Sequence, residues 1–222
     1  MRTLLLTGYD EWMAPIGNLT APLMHAYANR FGIDFRCWTE LSGKHPGYWE
    51  KVPQILDAFD DGYERVIWLD CDQLITNPTH WPITWSGGFH ASMDWGQDAT
   101  EDSHFSMCGF VVHEDARELF DHLESEKEDW VDKPFPEQEP MRRLYRGRAI
   151  LSSPVALAEM TTHPRRAFNA VPIQVHETVV DPWQPGDWCA HITMVDVPRR
   201  VEIFHEIRKQ CDGLSGQTPS RG

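Results

Sequence analysis

Positive charge is scarce in this chain. Its 20 lysines and arginines face 34 aspartates and glutamates, for a net charge of -14. Such a balance repels a phosphate polymer at long range and disfavours extended nucleic-acid binding. Long apolar runs are also missing. Leu4-Leu5-Leu6 is too short for a signal-peptide core, and no segment approaches the ~20 apolar residues of a membrane span, so a soluble, cytoplasmic protein is expected. The five cysteines (Cys37, Cys71, Cys108, Cys189, Cys211) are odd in number, widely spaced and without a Cys-x-x-Cys pair. That spacing argues against a disulfide framework and a structural zinc site, and for free thiols in a reducing compartment. Internal repeats and low-complexity segments are absent too.

What is present suits one ordered domain. The chain has 222 residues, 41% of them hydrophobic, with ten tryptophans, enough for a sizeable core and too much for disorder. Thr3 to Thr7 reads as a first strand, Asn18 to Phe31 as a helix capped by Asn18 and stopped by Gly32, and Ile33 to Trp38 as a second strand. A helix from Trp49 to Asp61 follows, with Pro53 early enough to be tolerated. This alternation predicts an α/β fold with a mostly parallel, Rossmann-like sheet flanked by helices. Strands are further expected over Phe89 to Trp95 and Phe105 to His113, and helices over Glu114 to Lys127, Glu137 to Tyr145 and from Pro198 onward. Residues 1–211 should form the domain and 212–222, rich in Gly and Ser, a frayed tail.

The most informative stretch is Arg65-Val66-Ile67-Trp68-Leu69-Asp70-Cys71-Asp72. Four consecutive apolar residues read as a strand covered on both faces, and Asp70 lies where it emerges. In open α/β sheets ligands bind at that exit edge. Two carboxylates flanking a tight turn there can hold a hard divalent cation, which in turn neutralises a phosphate-bearing ligand. As a bland alternative, the pair is solvated at a strand end or caps a helix.

With its surroundings, Asp70-Cys71-Asp72 resembles the Asp-x-Asp motif of GT-A glycosyltransferases. Residues 45 to 195 are most similar to the galactosyl and xylosyl transferase family that includes the yeast Golgi mannan enzymes and plant xyloglucan xylosyltransferases. Two segments carry the likeness: the strand into Asp72, and Trp183-Gln184-Pro185-Gly186-Asp187-Trp188-Cys189-Ala190-His191, which resembles the segment supplying a third, histidine ligand. The resemblance implies a single GT-A-like domain, a nucleoside diphosphate sugar donor with UDP-sugars favoured, an acceptor it does not identify, and Mn²⁺ or Mg²⁺ held by Asp70, Asp72 and His191. A nitrogen ligand beside two carboxylates leans toward Mn²⁺. Glu137-Gln138 resembles the acid and glutamine pair that lies by the sugar, and Lys51 matches a family position in the helix before the metal strand that implies a nucleotide-sugar contact, although a helix-face lysine is ordinarily just solvated.

Family members continue from the histidine into a glycine and a basic residue that grips the diphosphate; Ile192-Thr193-Met194 replaces them here. Arg199 and Arg200 are near enough to substitute, or are surface charge at a helix start. Thr7, Gly8 and Tyr9 stand at the first strand exit, where base and ribose would lie, since glycine admits a ligand closely and tyrosine stacks. Asp94, at another strand exit, is a candidate for sugar or acceptor contact. Some of Trp12, Trp49, Trp81, Trp85 and Trp95 can form a sugar-stacking wall, most being core. Two other function classes fit paired carboxylates. A metal-dependent nucleotidyltransferase would bring a basic, glycine-rich phosphate loop, whereas Thr7-Gly8-Tyr9-Asp10-Glu11 is acidic. A non-catalytic sugar- or partner-binding module would need no diphosphate clamp.

Overall fold

The computed structural model describes residues 1–40, 47–81, 83–94, 105–146, 160–172, 175, 179 and 181–215. Its main sheet is built from β1 (Thr3–Gly8), β2 (Asp34–Trp38), β3 (Arg65–Leu69), β5 (Phe89–Met93), β6 (Phe105–His113) and β7 (Met160–His163), in the order β2-β1-β3-β6-β5-β7. Three of its neighbouring pairs are parallel, β1 with β2, β1 with β3 and β5 with β7. β6 runs antiparallel to both β3 and β5, so the sheet is mostly parallel with one reversed strand at its centre.

The continuous apolar runs of β1 and β3 follow from being covered on both faces. Leu4, Leu6, Val66 and Trp68 enter one cluster, beneath α2 (Lys51–Asp60) and α3 (Arg117–Ser125). Leu5, Ile67 and Leu69 point the other way, into a cluster with Met24 and Tyr27 of α1 (Ala14–Phe31). Each such side chain contributes about 1.5–3 kcal/mol on burial.

α1 begins four residues before the expected Asn18. Pro15 occupies its first turn, and no side chain caps its N-terminus; Asp10 Oδ1 accepts the N–H of the N-cap residue Met13 at 2.8 Å, which ties the preceding loop to the helix start. Gly32 ends it with φ 64°, as expected. The expected Glu114 to Lys127 helix starts with a 3₁₀ turn at Glu114–Ala116, continues as α3 and is followed by α4 (Lys127–Trp130). α5 spans Gln138–Arg146, and the strand expected to reach Trp95 ends at Met93, Trp95 lying outside the described residues.

A second, two-stranded sheet pairs β4 (Gln73–Ile75) antiparallel with β8 (Cys189–His191), Gln73 opposite His191. α6 (Val197–Ser215) packs on it through Ile203, Phe204 and Ile207, beside Ile16 of α1; Val201, expected on this face, is only half-buried. The helix runs past the predicted boundary at 211 as far as Ser215. All five cysteines are free. No helix among the described residues is long and apolar enough to cross a membrane.

Candidate metal and diphosphate site

The turn after β3 is held from three sides. The Asp70 N–H donates to Cys108 O on β6 at 2.7 Å, the Gln73 N–H returns to Asp70 O at 2.9 Å, and Thr20 Oγ1 of α1 donates to Cys71 O at 2.6 Å. The β4–β8 pairing then brings in a segment more than a hundred residues away: the Ile192 N–H donates to Asp72 O at 2.9 Å. As a result Asp70, Asp72 and His191 each offer one ligand atom within 4.8 Å of the others.

The donor set fits a divalent ion. Two carboxylate oxygens and one imidazole nitrogen suit Mn²⁺. Asp72 is buried, and its Oδ1 has no hydrogen-bond partner, although His191 Nε2 approaches it to 3.5 Å. An unpartnered buried carboxylate oxygen is costly unless something fills its place. His191 Nδ1 contacts Asn169 Oδ1 at 2.6 Å; with that nitrogen donating, Nε2 is left facing the carboxylates. Burial disfavours the charged ring, yet Cys108 and Asp72 outweigh it and hold its pKa well above the ordinary histidine value. Asp72 is likewise resisted by burial, but His191 and Arg200 bring its pKa below the usual carboxylate range.

A cavity of about 510 Å³ opens beside this cluster, lined by Gly8, Tyr9, Asp10, Trp12, Lys51, Asp70, Asp72, Glu137 and Arg200 among others. Lys51, read from the sequence as a helix-face lysine, is 3% exposed at the start of α2. Its ammonium reaches Asp70 at 3.1 Å, Glu137 at 3.1 Å and Met107 O at 3.0 Å. All three of its N–H donors therefore have acceptors. Burial opposes its charge, but the two carboxylates prevail and raise its pKa. Burial in turn pushes Asp70 up, with Lys51 pulling the other way, while Trp68 Nε1–H adds a 2.6 Å hydrogen bond to Oδ1.

Other expected site residues fall differently. Gly8 and Tyr9 line the cavity; a Cβ at Gly8 would meet Trp38 O at 2.9 Å, so that close approach needs glycine. Thr7 is buried and off the cavity wall. Gln138 is turned inward, its Oε1 accepting the Met107 N–H at 2.9 Å. Asp94 pairs with Arg142 at 2.7 Å, away from the lining. Arg199 is not brought to the site: its guanidinium lies outside, on Glu202 and Glu206. Its neighbour Arg200 points in and bonds Asp72 Oδ2, with Nε donating to Val195 O at 2.8 Å. Of the tryptophans, Trp12 lines the cavity, Trp49 is core, and Trp81 and Trp85 pack beneath the sheet. Asn169 escaped the sequence reading, since it stands in no recognisable pattern, and Trp68 was read only as part of the apolar strand, its indole N–H going unnoticed.

No protein-family model matches the chain, and no curated protein matches it in sequence. Solved structures do. A glycosyltransferase involved in the glycosylation of the major capsid of PBCV-1 superposes with a TM-score of 0.68 at 14% identity, over 93% of this chain and 100% of that one. The galactosyltransferase LgtC, solved with donor and acceptor sugar analogs, gives 0.58 at 13% identity over 98% of both chains. The glycosyltransferase GlyE of Streptococcus pneumoniae TIGR4 gives 0.56 at 12% identity, over 100% of this chain and 66% of that one. Together with the sheet order and the strand-exit site, these likenesses establish that the chain has the GT-A glycosyltransferase fold.

Proposed function

We propose that this protein is a metal-dependent glycosyltransferase, moving a sugar from a nucleoside diphosphate sugar, a UDP-sugar by preference, to an acceptor with retention of anomeric configuration. The observation that carries the reading is the cluster of half-buried Asp70 with buried Asp72 and His191 beside the cavity, Asp72 Oδ1 being unpartnered. Similarity to sugar-transferring proteins of the same fold supports it.

A bound divalent ion would supply charge to both donor phosphates and stabilise the leaving diphosphate. The chain's own residues do the rest. Gly8 and Tyr9, at the exit of β1, offer a close backbone approach and a flat ring to base and ribose. Lys51 clamps Asp70 and Glu137 in fixed positions, and Gln138 supports that clamp from behind by anchoring Met107, whose carbonyl receives the ammonium. Glu137 is the carboxylate facing the sugar and accepts hydrogen bonds from its hydroxyls. Because its charge is engaged by Lys51, it is a weak nucleophile. A front-face route therefore fits better: the acceptor oxygen bonds to the anomeric carbon as the diphosphate leaves, and its proton passes to the departing phosphate oxygen. Trp12 and Tyr48, 65% and 50% exposed at the cavity, provide faces on which sugar rings stack.

The test is donor hydrolysis without acceptor, with UDP-, GDP-, CDP- and dTDP-sugars, each with Mn²⁺ and with EDTA. Release of nucleoside diphosphate from at least one donor, only with the ion, is expected, together with a raised melting temperature for that pair. A full set of donors giving neither release nor stabilisation would contradict the assignment.

A further inference from the structure

Four carboxylates, those of Asp10, Asp70, Asp72 and Glu137, line the cavity against two cations, Lys51 and Arg200. An anionic diphosphate is therefore repelled until a divalent cation offsets the excess. The two cations differ in what they have left to give. Lys51 has spent its three donors on two carboxylates and a carbonyl, inside the protein. Among the described residues Arg200 is tied through Nε to Val195 O and Nη1 to Asp72 Oδ2, and the other N–H groups of its fork meet no acceptor there. Moreover, the carboxylate it grips is the one whose other oxygen is buried and unpartnered.

We propose that Arg200 is a resident counter-cation of the metal site, which an arriving divalent ion displaces from Asp72 and which then turns to the donor's diphosphate. The inference rests on reading this site as a metal and diphosphate centre. A divalent ion at Asp70, Asp72 and His191 takes over the charge of Asp72, and a guanidinium 12% exposed beside it is then both repelled by the ion and short of an acceptor. A diphosphate oxygen supplies that acceptor, in the bidentate geometry guanidinium favours. Arg200 thus couples the two ligands: it opposes the ion alone and supports the ion with diphosphate. It stands on α6, nine residues past His191, where the basic group missing after the histidine is replaced from a helix.

The experiment measures two affinities by calorimetry in wild type, Arg200→Gln and Arg200→Lys: Mn²⁺ alone, and UDP at saturating Mn²⁺. For Arg200→Gln, affinity for Mn²⁺ alone should rise several-fold while affinity for UDP falls about ten- to a hundredfold. Arg200→Lys keeps the charge and should fall between. Arg199→Gln, altering an exposed neighbour, should change neither. If Arg200 merely props Asp72 in place, Arg200→Gln lowers both affinities; that result, or no change in either, overturns the proposal while leaving the metal site standing. Wild type that binds no Mn²⁺ overturns this inference and the functional reading together. A melting temperature for each variant in the absence of ligand separates lost binding from lost fold.

Discussion

The two ends of β3 bury charge in opposite ways. At its exit, Asp70 and Asp72 are surrounded by Lys51, Arg200 and His191 beside an open cavity. Near its start, Arg65 lies opposite His113, with His90 and His163 close by under Trp85 and Phe168. Here burial depresses His90, His113 and His163, the last to about 4 with His90 adding to the effect. The packed end holds its histidines neutral around a single cation, Arg65, whereas the open end sets carboxylates against Lys51, Arg200 and His191 beside a cavity. Neutral groups suffice where only packing is at stake. A centre that keeps paired charges in a near-dry wall is built for a charged ligand, and this difference is what marks the functional end.

Breaking the charged end should have the largest effect. Lys51→Met leaves buried Glu137 and half-buried Asp70 without their shared counter-ion, a loss on the order of 3–5 kcal/mol. For a chain of this size that corresponds to a melting temperature lower by roughly 6–20 °C. Mn²⁺ should restore part of it by engaging Asp70. A variant as stable as wild type would mean that the clamp carries no net stabilisation.

Perturbing the neutral end should do less, and only in acid. The folded pKa of His163, about 4, is below its ordinary value near 6.5, so the unfolded chain binds the proton more readily. Its contribution is fully present above about 6.5 and is lost as pH falls toward 4. His163→Phe keeps a flat ring on Trp85, whose centroid is 3.8 Å away, and cannot protonate. The variant should lose less stability across that window, by on the order of 1–2 kcal/mol once the partial exposure of His163 is allowed for. Parallel melting curves for the two proteins from pH 7 to 4 would remove His163 from the acid response.

How much was legible in the sequence follows the same divide between local and distant causes. β1 and β3 could be read because burial on both faces writes a continuous apolar run, and Asp70 and Asp72 because strand and turn are adjacent in the chain. Gly32 could be read because the helix stop needs a positive φ. Asn18 misled because its side chain accepts the Tyr9 hydroxyl at 2.8 Å instead of capping α1. Lys51 looked like a solvated helix residue, since its burial depends on Met107 and Glu137, far along the chain. His191 was accessible only through the family resemblance; Asn169, its hydrogen-bond partner, has no local signature at all. Arg199 and Arg200 are consecutive on a helix and so project in different directions, and which one faces Asp72 is decided by how α6 packs on β4 and β8.

The most direct measurement is Mn²⁺-dependent binding of UDP to wild type and to the double variant Asp70→Asn with Asp72→Asn, by calorimetry. Wild type should bind UDP far more tightly with the ion than without it, because each ligand supplies charge that the other lacks. In the double variant that difference should vanish; because the change also removes counter-ions from Lys51 and Arg200, the melting temperature and circular dichroism of the variant are measured alongside to establish that it is folded. An unchanged ion-dependent affinity in a folded double variant would contradict the assignment of this site.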